Sequence, residues 1–241
     1  MTEQRKYLLT REEIEKAIVG PPVIRHDEPW GHMLAVVVAA GVGRYCTVVT
    51  HLLVAGEGNR THANRRRVEE VGVPVYSDSE NWESLVRQLV DYAAGLPNVT
   101  ITIDTAAMGL QFLKRVQELA PALSVRGVQF GGEIRQAKRF HTRRAQAYVE
   151  TAEAIQDGAV RLCSAMGDTM IRQAREIPYW FDESGLYHIP RYMELCTRPA
   201  GAPDLWDTVA MAFLDGVSFT PVPGTRSVGR ERVQVPPKAH S

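Results

Sequence analysis

The sequence has no excess of either charge and few cysteines. Its 28 Lys and Arg residues balance 28 Asp and Glu residues, so the formal net charge is zero and no bulk field attracts a polyanion. A nucleic-acid partner would have to be bound by local basic clusters. The three cysteines, Cys46, Cys163 and Cys196, are odd in number and lack metal-ligand spacing, which fits a reducing compartment better than a disulfide framework.

The sequence also lacks long apolar runs. No window of about 18 apolar residues occurs, as a membrane span would require, and the charged N-terminus MTEQRKYLLTREEIEKA does not look like a signal peptide. We therefore expect a cytoplasmic protein. A chain of 241 residues that is 44% hydrophobic can bury a substantial core without disulfides, and we expect one main domain.

The most informative stretch is NVTITIDTAAMG, residues 98–109. Its β-branched residues predict a buried strand over residues 99–103, and helical spacing of apolar residues follows. Asp104 thus stands between the C-terminal end of a strand and a helix, where ligands bind in open α/β sheets. The alternative is that Asp104 only caps the helix.

The rest of the chain predicts a mixture of strands and helices. Three short apolar segments within residues 23–54 (23–27, 33–40 and 45–54) predict an antiparallel meander, and residues 81–94 predict a crossover helix to the strand at 99–103. We divide the chain into a helical lead-in (1–20), a main domain (21–216) and a flexible tail (217–241).

Four aspartates lie at three places in the chain, each at the end or the start of a predicted element. Asp27 ends the first short strand, Asp104 ends the central strand, and Asp204 and Asp207 open the last helix. Residues three apart share a helix face, so the last two can point the same way. Converging carboxylates without clustered Cys or His predict Mg²⁺ or Mn²⁺ rather than zinc. The scattered histidines, which lack ligand spacing, are assigned to surface or core: His32, His51, His62, His141 and His188.

Basic residues crowd the start of the helix predicted for residues 138–156. Cations there oppose the helix dipole, so their presence has another cause. A solvated face and a phosphate-binding face are both possible. The candidate DNA-binding residues are Lys138, Arg139, Arg143 and Arg144, with residues 65–67 as a further basic cluster.

The order of these motifs resembles the nuclease domain of phage large terminases, in the RNase H-like superfamily, over about residues 8–216. The matching segments are LLTREEIEKA, VIRHDEPWG, ITIDTAAMG, KRFHTRRAQAYVETAEAIQDGAVRL and PDLWDTVAMAFL. Related Holliday-junction resolvases also end on two aspartates three residues apart. The resemblance implies an α/β fold with a mixed five-stranded sheet, three antiparallel strands plus two parallel ones, flanked by helices.

The resemblance further implies a metal-dependent DNA endonuclease that cuts concatemeric viral DNA during packaging. Asp27, Asp104, Asp204 and Asp207 would hold two Mg²⁺ or Mn²⁺ ions. The implied partners are double-stranded DNA, a packaging ATPase, a portal and a small terminase subunit, at the viral procapsid in the host cytoplasm. The sequence has no GxxxxGK[ST] motif, so the ATPase is a separate chain or this is the nuclease portion alone.

Two questions stay open at the level of sequence. In a second register, the first strand of the family is aligned with VVVAAGVGRYCTVV, and its acidic position then falls on Val37. Because valine has no carboxylate, this register implies an inactive enzyme. Asp27 is preferred because two further strands then follow it. The alternative functions are another RNase H-like nuclease of the junction-resolvase type and a catalytically silent DNA-binding or packaging subunit.

Overall fold

The computed structural model describes residues 6–25, 27–41, 44–56, 65–131, 134 and 138–223. The strands are β1 (Lys6–Tyr7), β2 (Trp30–Gly41), β3 (Arg44–Ala55), β4 (Arg67–Ser77), β5 (Thr100–Asp104), β6 (Ser124–Val128), β7 (Val160–Arg161), β8 (Pro178–Phe181) and β9 (Tyr187–His188). The helices are α1 (Arg11–Val19), α2 (Trp82–Ala94), α3 (Gly109–Leu119), α4 (Arg143–Gln156), α5 (Gly167–Ala174), α6 (Tyr192–Cys196) and α7 (Asp204–Ala210), with short 3₁₀ turns at Ser164–Met166 and Met211–Phe213.

The central feature is a mixed sheet of six strands in the order β6-β5-β2-β3-β4-β7. Strands β2, β3 and β4 form an antiparallel meander. Strands β5 and β6 run parallel to β2 and to each other, and β7 runs parallel to β4. The predicted RNase H-like mixed sheet is confirmed, with six strands in place of the expected five.

Helices cover both faces of this sheet and divide the core in two. One core cluster joins the sheet to the amphipathic faces of α2 and α3 through residues such as Val86, Leu89 and Phe112. The other joins it to α1, α4, α5 and α7. Every residue of α7 is buried, and α7 packs directly on β2 and β3. The last helix therefore brings its side chains to the middle of the sheet.

The meander begins later in the chain than the sequence indicated. Residues 23–25 and 27 are not in a strand; the first long strand is β2, and the third is β4, which was expected to be a short amphipathic stretch. The alternation of β4 is broken by two consecutive buried glutamates, Glu69 and Glu70. Both accept hydrogen bonds from loop backbone: Glu69 from Val23 and Ile24, and Glu70 from Cys163.

The predicted lead-in and the start of the predicted tail both contact the main domain. Helix α1 has the expected capping box of Thr10 and Glu13 and buries Ile14 in the core. After α7, Val217 is buried and the Val222 N–H donates to the Trp30 carbonyl at 2.8 Å. Residues 224–241 lie outside the described residues. Among the helices that are described, none is long and apolar enough to cross a membrane.

Candidate active site

Asp104 is the last residue of β5 and lies at the C-terminal edge of the sheet. Its Oδ1 accepts a hydrogen bond from the Ala106 N–H at 3.1 Å, and only 7% of the residue is exposed. Burial raises the pKa of Asp104, against the opposing effects of the Ala106 N–H and of the charge on Arg144. Asp104 is thus a buried carboxylate whose desolvation is only partly compensated.

Asp207, on α7, lies close enough to Asp104 to sense its charge. Its Oδ1 accepts hydrogen bonds from Arg144 Nη1 at 2.8 Å and from the Tyr148 hydroxyl. Burial raises the pKa of Asp207 to about 6, although Arg144 and Tyr148 oppose the rise; the negative charge of Asp104 adds to it. The structure thus places one predicted carboxylate of the central strand and one of the last helix within electrostatic reach of each other.

Arg144 is the cation of this site. Its guanidinium lies over the rings of Phe130, Tyr148 and Tyr192, at 4.6, 5.4 and 5.4 Å from their centroids, and its side chain is 13% exposed. Burial is the largest single effect and would lower the pKa of Arg144, but the interactions with Asp207 and Tyr148 together outweigh it and raise the pKa. Arg144 was predicted to face DNA; it instead lies inside the carboxylate cluster, because stacking and the ion pair hold it there.

Asp204 opens α7 and is fully buried. Its Oδ1 accepts a hydrogen bond from the Tyr192 hydroxyl at 2.8 Å. In the part of the chain that the structure describes, Asp104, Asp204 and Asp207 are not a group of three whose ligand atoms all lie within 4.8 Å of one another. Asp204 therefore does not complete a three-carboxylate cluster with Asp104 and Asp207.

The structure does not bring Asp27 to this site, which corrects the prediction. Asp27 is exposed and precedes β2, whereas Asp104 lies beside the far part of that strand. From Trp30 to Val37 alone the strand makes seven residue-to-residue steps, about 23 Å at a rise of about 3.3 Å per residue. The neighbouring Glu28 is paired instead with Arg67, on β4.

The β2 residue next to Asp104 is Val37. The parallel register pairs Val36 with Ile103, so Val37 follows in step with Asp104. Val37 is 4% exposed and packs in the core cluster on the α4 and α7 side, the side on which Asp104 meets Arg144. The sheet therefore has the second register considered in the sequence analysis. In that register, Val37 occupies the position of the first expected carboxylate.

The donor set consists of hard oxygen ligands, which suit a divalent cation such as Mg²⁺ or Mn²⁺. Asp104 and Asp207 offer carboxylate oxygens at one strand end, and the raised pKa of each is the response expected of buried carboxylates that lack sufficient positive charge. Val37 provides no ligand for a further ion. One oxygen of Asp207 is already engaged by Arg144 and Tyr148.

The remaining predicted DNA-binding residues lie at or just before the start of α4. Lys138 is exposed. Arg139 is paired with Glu153 and stacks on Phe140 at 4.7 Å, and Arg143 donates to the Asp215 carbonyl at 3.0 Å. Two of these three cations thus have intramolecular partners.

The second basic cluster is not a continuous surface. Arg66 is buried and donates to the carbonyls of Ala212 and Val217, which fixes the chain that follows α7. Arg67 is paired with Glu28, and Arg65 is exposed. Arg66 has a structural role because both of its terminal nitrogens donate to backbone carbonyls within the fold.

Sequence analysis missed the tyrosines that complete the site. Tyr148 is fully buried and lies one helical turn after Arg144, so both reach Asp207 from one face of α4. That spacing of four was the available signal. Tyr192 has no comparable signal, because it comes from α6 and reaches Asp204 only through the tertiary fold.

Comparison with known proteins agrees with the motifs. No protein-family model matches the chain. A curated relative from Enterobacteria phage P7, described as a probable terminase, large subunit, is 27% identical over 222 residues, which is 88% of this chain and 42% of the relative. The chain therefore spans less than half the length of that relative.

Two solved structures are similar over most of the chain. A mutant nuclease domain of the large terminase subunit gp2 of bacterial virus Sf6, with manganese and beta-thujaplicinol, has a TM-score of 0.59 at 12% identity and covers 86% of this chain and 98% of that one. The large terminase of bacteriophage HK97 has a TM-score of 0.52 at 13% identity, over 87% of this chain and 43% of that one. The resemblance indicated by the motifs is thus confirmed, and the chain has the RNase H-like fold of the nuclease domains of phage large terminases.

Proposed function

We propose that this chain is the nuclease domain of a phage packaging terminase and hydrolyses phosphodiester bonds of double-stranded DNA. The observation that carries the proposal is the buried pair Asp104 and Asp207 at the C-terminal end of β5, in this fold. The finer function is endonucleolytic cutting of concatemeric viral DNA during packaging. It is supported by the relative described as a terminase large subunit.

Asp104 and Asp207 are the proposed ligands of one Mg²⁺ or Mn²⁺ ion, with Asp204 beside them. When bound, such an ion polarises a phosphate oxygen and lowers the pKa of water. Arg144 orients the Asp207 carboxylate through the 2.8 Å hydrogen bond, and Tyr148 restrains the same oxygen. The aromatic rings around Arg144 exclude water from the pair and so strengthen its electrostatics.

DNA would approach from the start of α4. Lys138, with Arg139 and Arg143, is proposed to contact phosphates, which fixes position without reading sequence. We also propose the partners that the resemblance implies: a packaging ATPase, a portal and a small terminase subunit, at the procapsid in the host cytoplasm.

A second function is a catalytically silent packaging domain that holds DNA without cutting it. It is favoured by Val37 at the β2 position beside Asp104, and by the charge of Arg144, which neutralises Asp207 without a metal ion. Under this proposal the fold retains two acidic residues of a metal site but has no carboxylate on the first long strand.

Nicking of supercoiled plasmid by the purified chain, with and without Mn²⁺, tests the two proposals. The nuclease proposal expects Mn²⁺-dependent nicking that Asp104→Asn abolishes while far-ultraviolet circular dichroism stays unchanged. Asp91→Asn, which alters an exposed carboxylate on α2, is the matched control and should nick normally. Absence of nicking by the wild-type chain, with DNA binding retained, would overturn the nuclease proposal in favour of the silent one.

A further inference from the structure

A second cluster of metal-ligating side chains lies outside the aspartate site. It consists of His141, just before α4, with Asp182 and His188 of the β8–β9 hairpin. One ligand atom from each residue lies within 4.8 Å of the ligand atoms of the other two. Among the described residues, no other group of three or more His, Cys, Asp or Glu side chains comes this close together. His141 lies 41 residues before Asp182 in the sequence, so only the fold brings it to the hairpin.

Backbone hydrogen bonds hold the two contributing segments together. The His141 N–H donates to the Tyr187 carbonyl at 3.0 Å, and the Tyr187 N–H donates to the Arg139 carbonyl at 2.9 Å. Phe140 and Tyr187 form a parallel bridge. His141 is therefore fixed beside β9 by the backbone rather than by its own side chain.

The ligand atoms are also oriented. Oδ1 of Asp182 accepts hydrogen bonds from Ser184 and Leu186 at 2.9 and 3.0 Å, which leaves Oδ2 facing His188 Nε2 at 2.9 Å. The ring of His188 stacks between Trp180, at 5.4 Å, and His141, at 4.0 Å. Stacking thus holds the two imidazoles close together, and one ring has to turn out of the stack to direct its nitrogen at a shared ion.

Two imidazoles and one carboxylate form the ligand set of borderline metal ions, above all Zn²⁺. With bonds of about 2.0–2.1 Å, ligands of tetrahedral zinc lie about 3.3 Å apart, so the Asp182 and His188 ligand atoms need to move only slightly. The cluster is at the protein surface, so water can occupy the fourth position. Its chemistry differs from that of the Asp104 and Asp207 pair, which offers only hard oxygen ligands.

We propose that His141, Asp182 and His188 bind one Zn²⁺ ion that fastens the hairpin to the start of α4. His141 directly precedes Thr142, whose hydroxyl caps α4 by accepting from the Ala145 N–H at 3.1 Å. Two residues further on, Arg144 reaches the aspartate pair. The bound ion therefore restrains the helix start that delivers Arg144, without touching the aspartates.

Calorimetric titration of the purified chain with ZnCl₂ at pH 7.5 tests this site. We expect one equivalent bound, and titration with Co²⁺ should give the visible absorption of a tetrahedral complex. His188→Ala and Asp182→Asn should each weaken binding at least tenfold. Glu183→Gln, which alters the exposed neighbour of Asp182, is the matched control and should bind as the wild type does.

The aspartate site supplies the independent control. Asp104→Asn should leave Zn²⁺ affinity unchanged, so the zinc proposal stands or fails separately from the nuclease proposal. No saturable binding by the wild type, or equal affinity in His188→Ala, Asp182→Asn and wild type, would overturn the proposal.

Discussion

At the scale of single residues, Val37 and Arg144 set the surroundings of the buried aspartate pair. Val37 lies beside Asp104 on the neighbouring strand and contributes only packing, and Arg144 supplies positive charge to Asp207. Sequence analysis identified Asp104 and Asp207 because strand ends and helix starts leave local patterns. The sequence favoured Asp27 over Val37 because two further predicted strands follow Asp27. The third strand of the meander, β4, was not recognised because two buried glutamates obscure its alternation.

Val37→Asp should convert the pair into a three-carboxylate site. The new carboxylate would lie in register with Asp104 on the same face, so we expect Mn²⁺ affinity to rise at least tenfold, because each added anionic ligand favours a hard divalent cation. Calorimetry and Mn²⁺-dependent thermal stabilisation measure this effect. The control is Val36→Asp, because residue 36 faces the opposite core cluster and this variant should gain no Mn²⁺ affinity. Equal Mn²⁺ affinity in the two variants would contradict the register assignment.

Glu70 should make stability depend on pH. Burial raises its pKa to about 7, and the hydrogen bond from the Cys163 N–H offsets this only in part. Because the folded-state pKa exceeds the unfolded value of about 4.3, the folded state binds the proton more tightly, and stability is lost as pH rises from about 4.3 to about 7. Glu70→Gln should remove this loss, so the variant should exceed the wild type at pH 8 by up to about 3 kcal/mol.

Urea denaturation at pH 5 and pH 8 measures the Glu70 effect. The two proteins should differ little at pH 5, where the wild-type carboxyl is mostly protonated in the folded state. Asp207, whose pKa is also raised, is common to both proteins and cancels in the difference. A stability difference that is the same at both pH values would show that Glu70 is not protonated in the folded state at pH 5.

At the scale of elements, the turn from β5 into α3 fixes Asp104. Ala107 has a positive φ of 47°, and Gly109 begins α3 directly against the Asp104 carbonyl. The sequence predicted this strand, turn and helix well, because β-branched alternation and helical spacing are local. It could not predict that the glycine is required by a close backbone approach, which only the folded corner creates.

Gly109→Ala should therefore disturb the site and the fold together. A Cβ at this position would collide with the Asp104 carbonyl oxygen, and rigid backbone must move to relieve the contact. We expect a loss of about 1–3 kcal/mol in the free energy of unfolding together with weaker Mn²⁺ binding. Gly72→Ala is the control, because its Cβ would meet no atom within 4 Å; an equal loss in the two variants would refute the corner argument.

At the scale of the whole molecule, the proposed function requires a protein with zero formal net charge to bind DNA through a limited patch. Arg144 is excluded from that patch by its burial, and Arg66 by its bonds to backbone carbonyls. Lys138, Arg139 and Arg143 remain at the start of α4. Folding thus reduces the predicted basic surface, and the sequence could not show this because ion pairing and stacking depend on tertiary neighbours.

Replacing Lys138 and Arg143 together by Ala should lower the salt dependence of DNA binding. Each lost phosphate contact changes the slope of log affinity against log salt by about 0.9 on duplex DNA, so the slope should become shallower by up to about two units. Mn²⁺ affinity should stay unchanged, since neither residue contacts Asp104 or Asp207. Lys16→Ala, an exposed cation on α1, is the control and should keep the wild-type slope. If the double variant also keeps it, DNA approaches by another face, and the proposed path along the start of α4 is wrong.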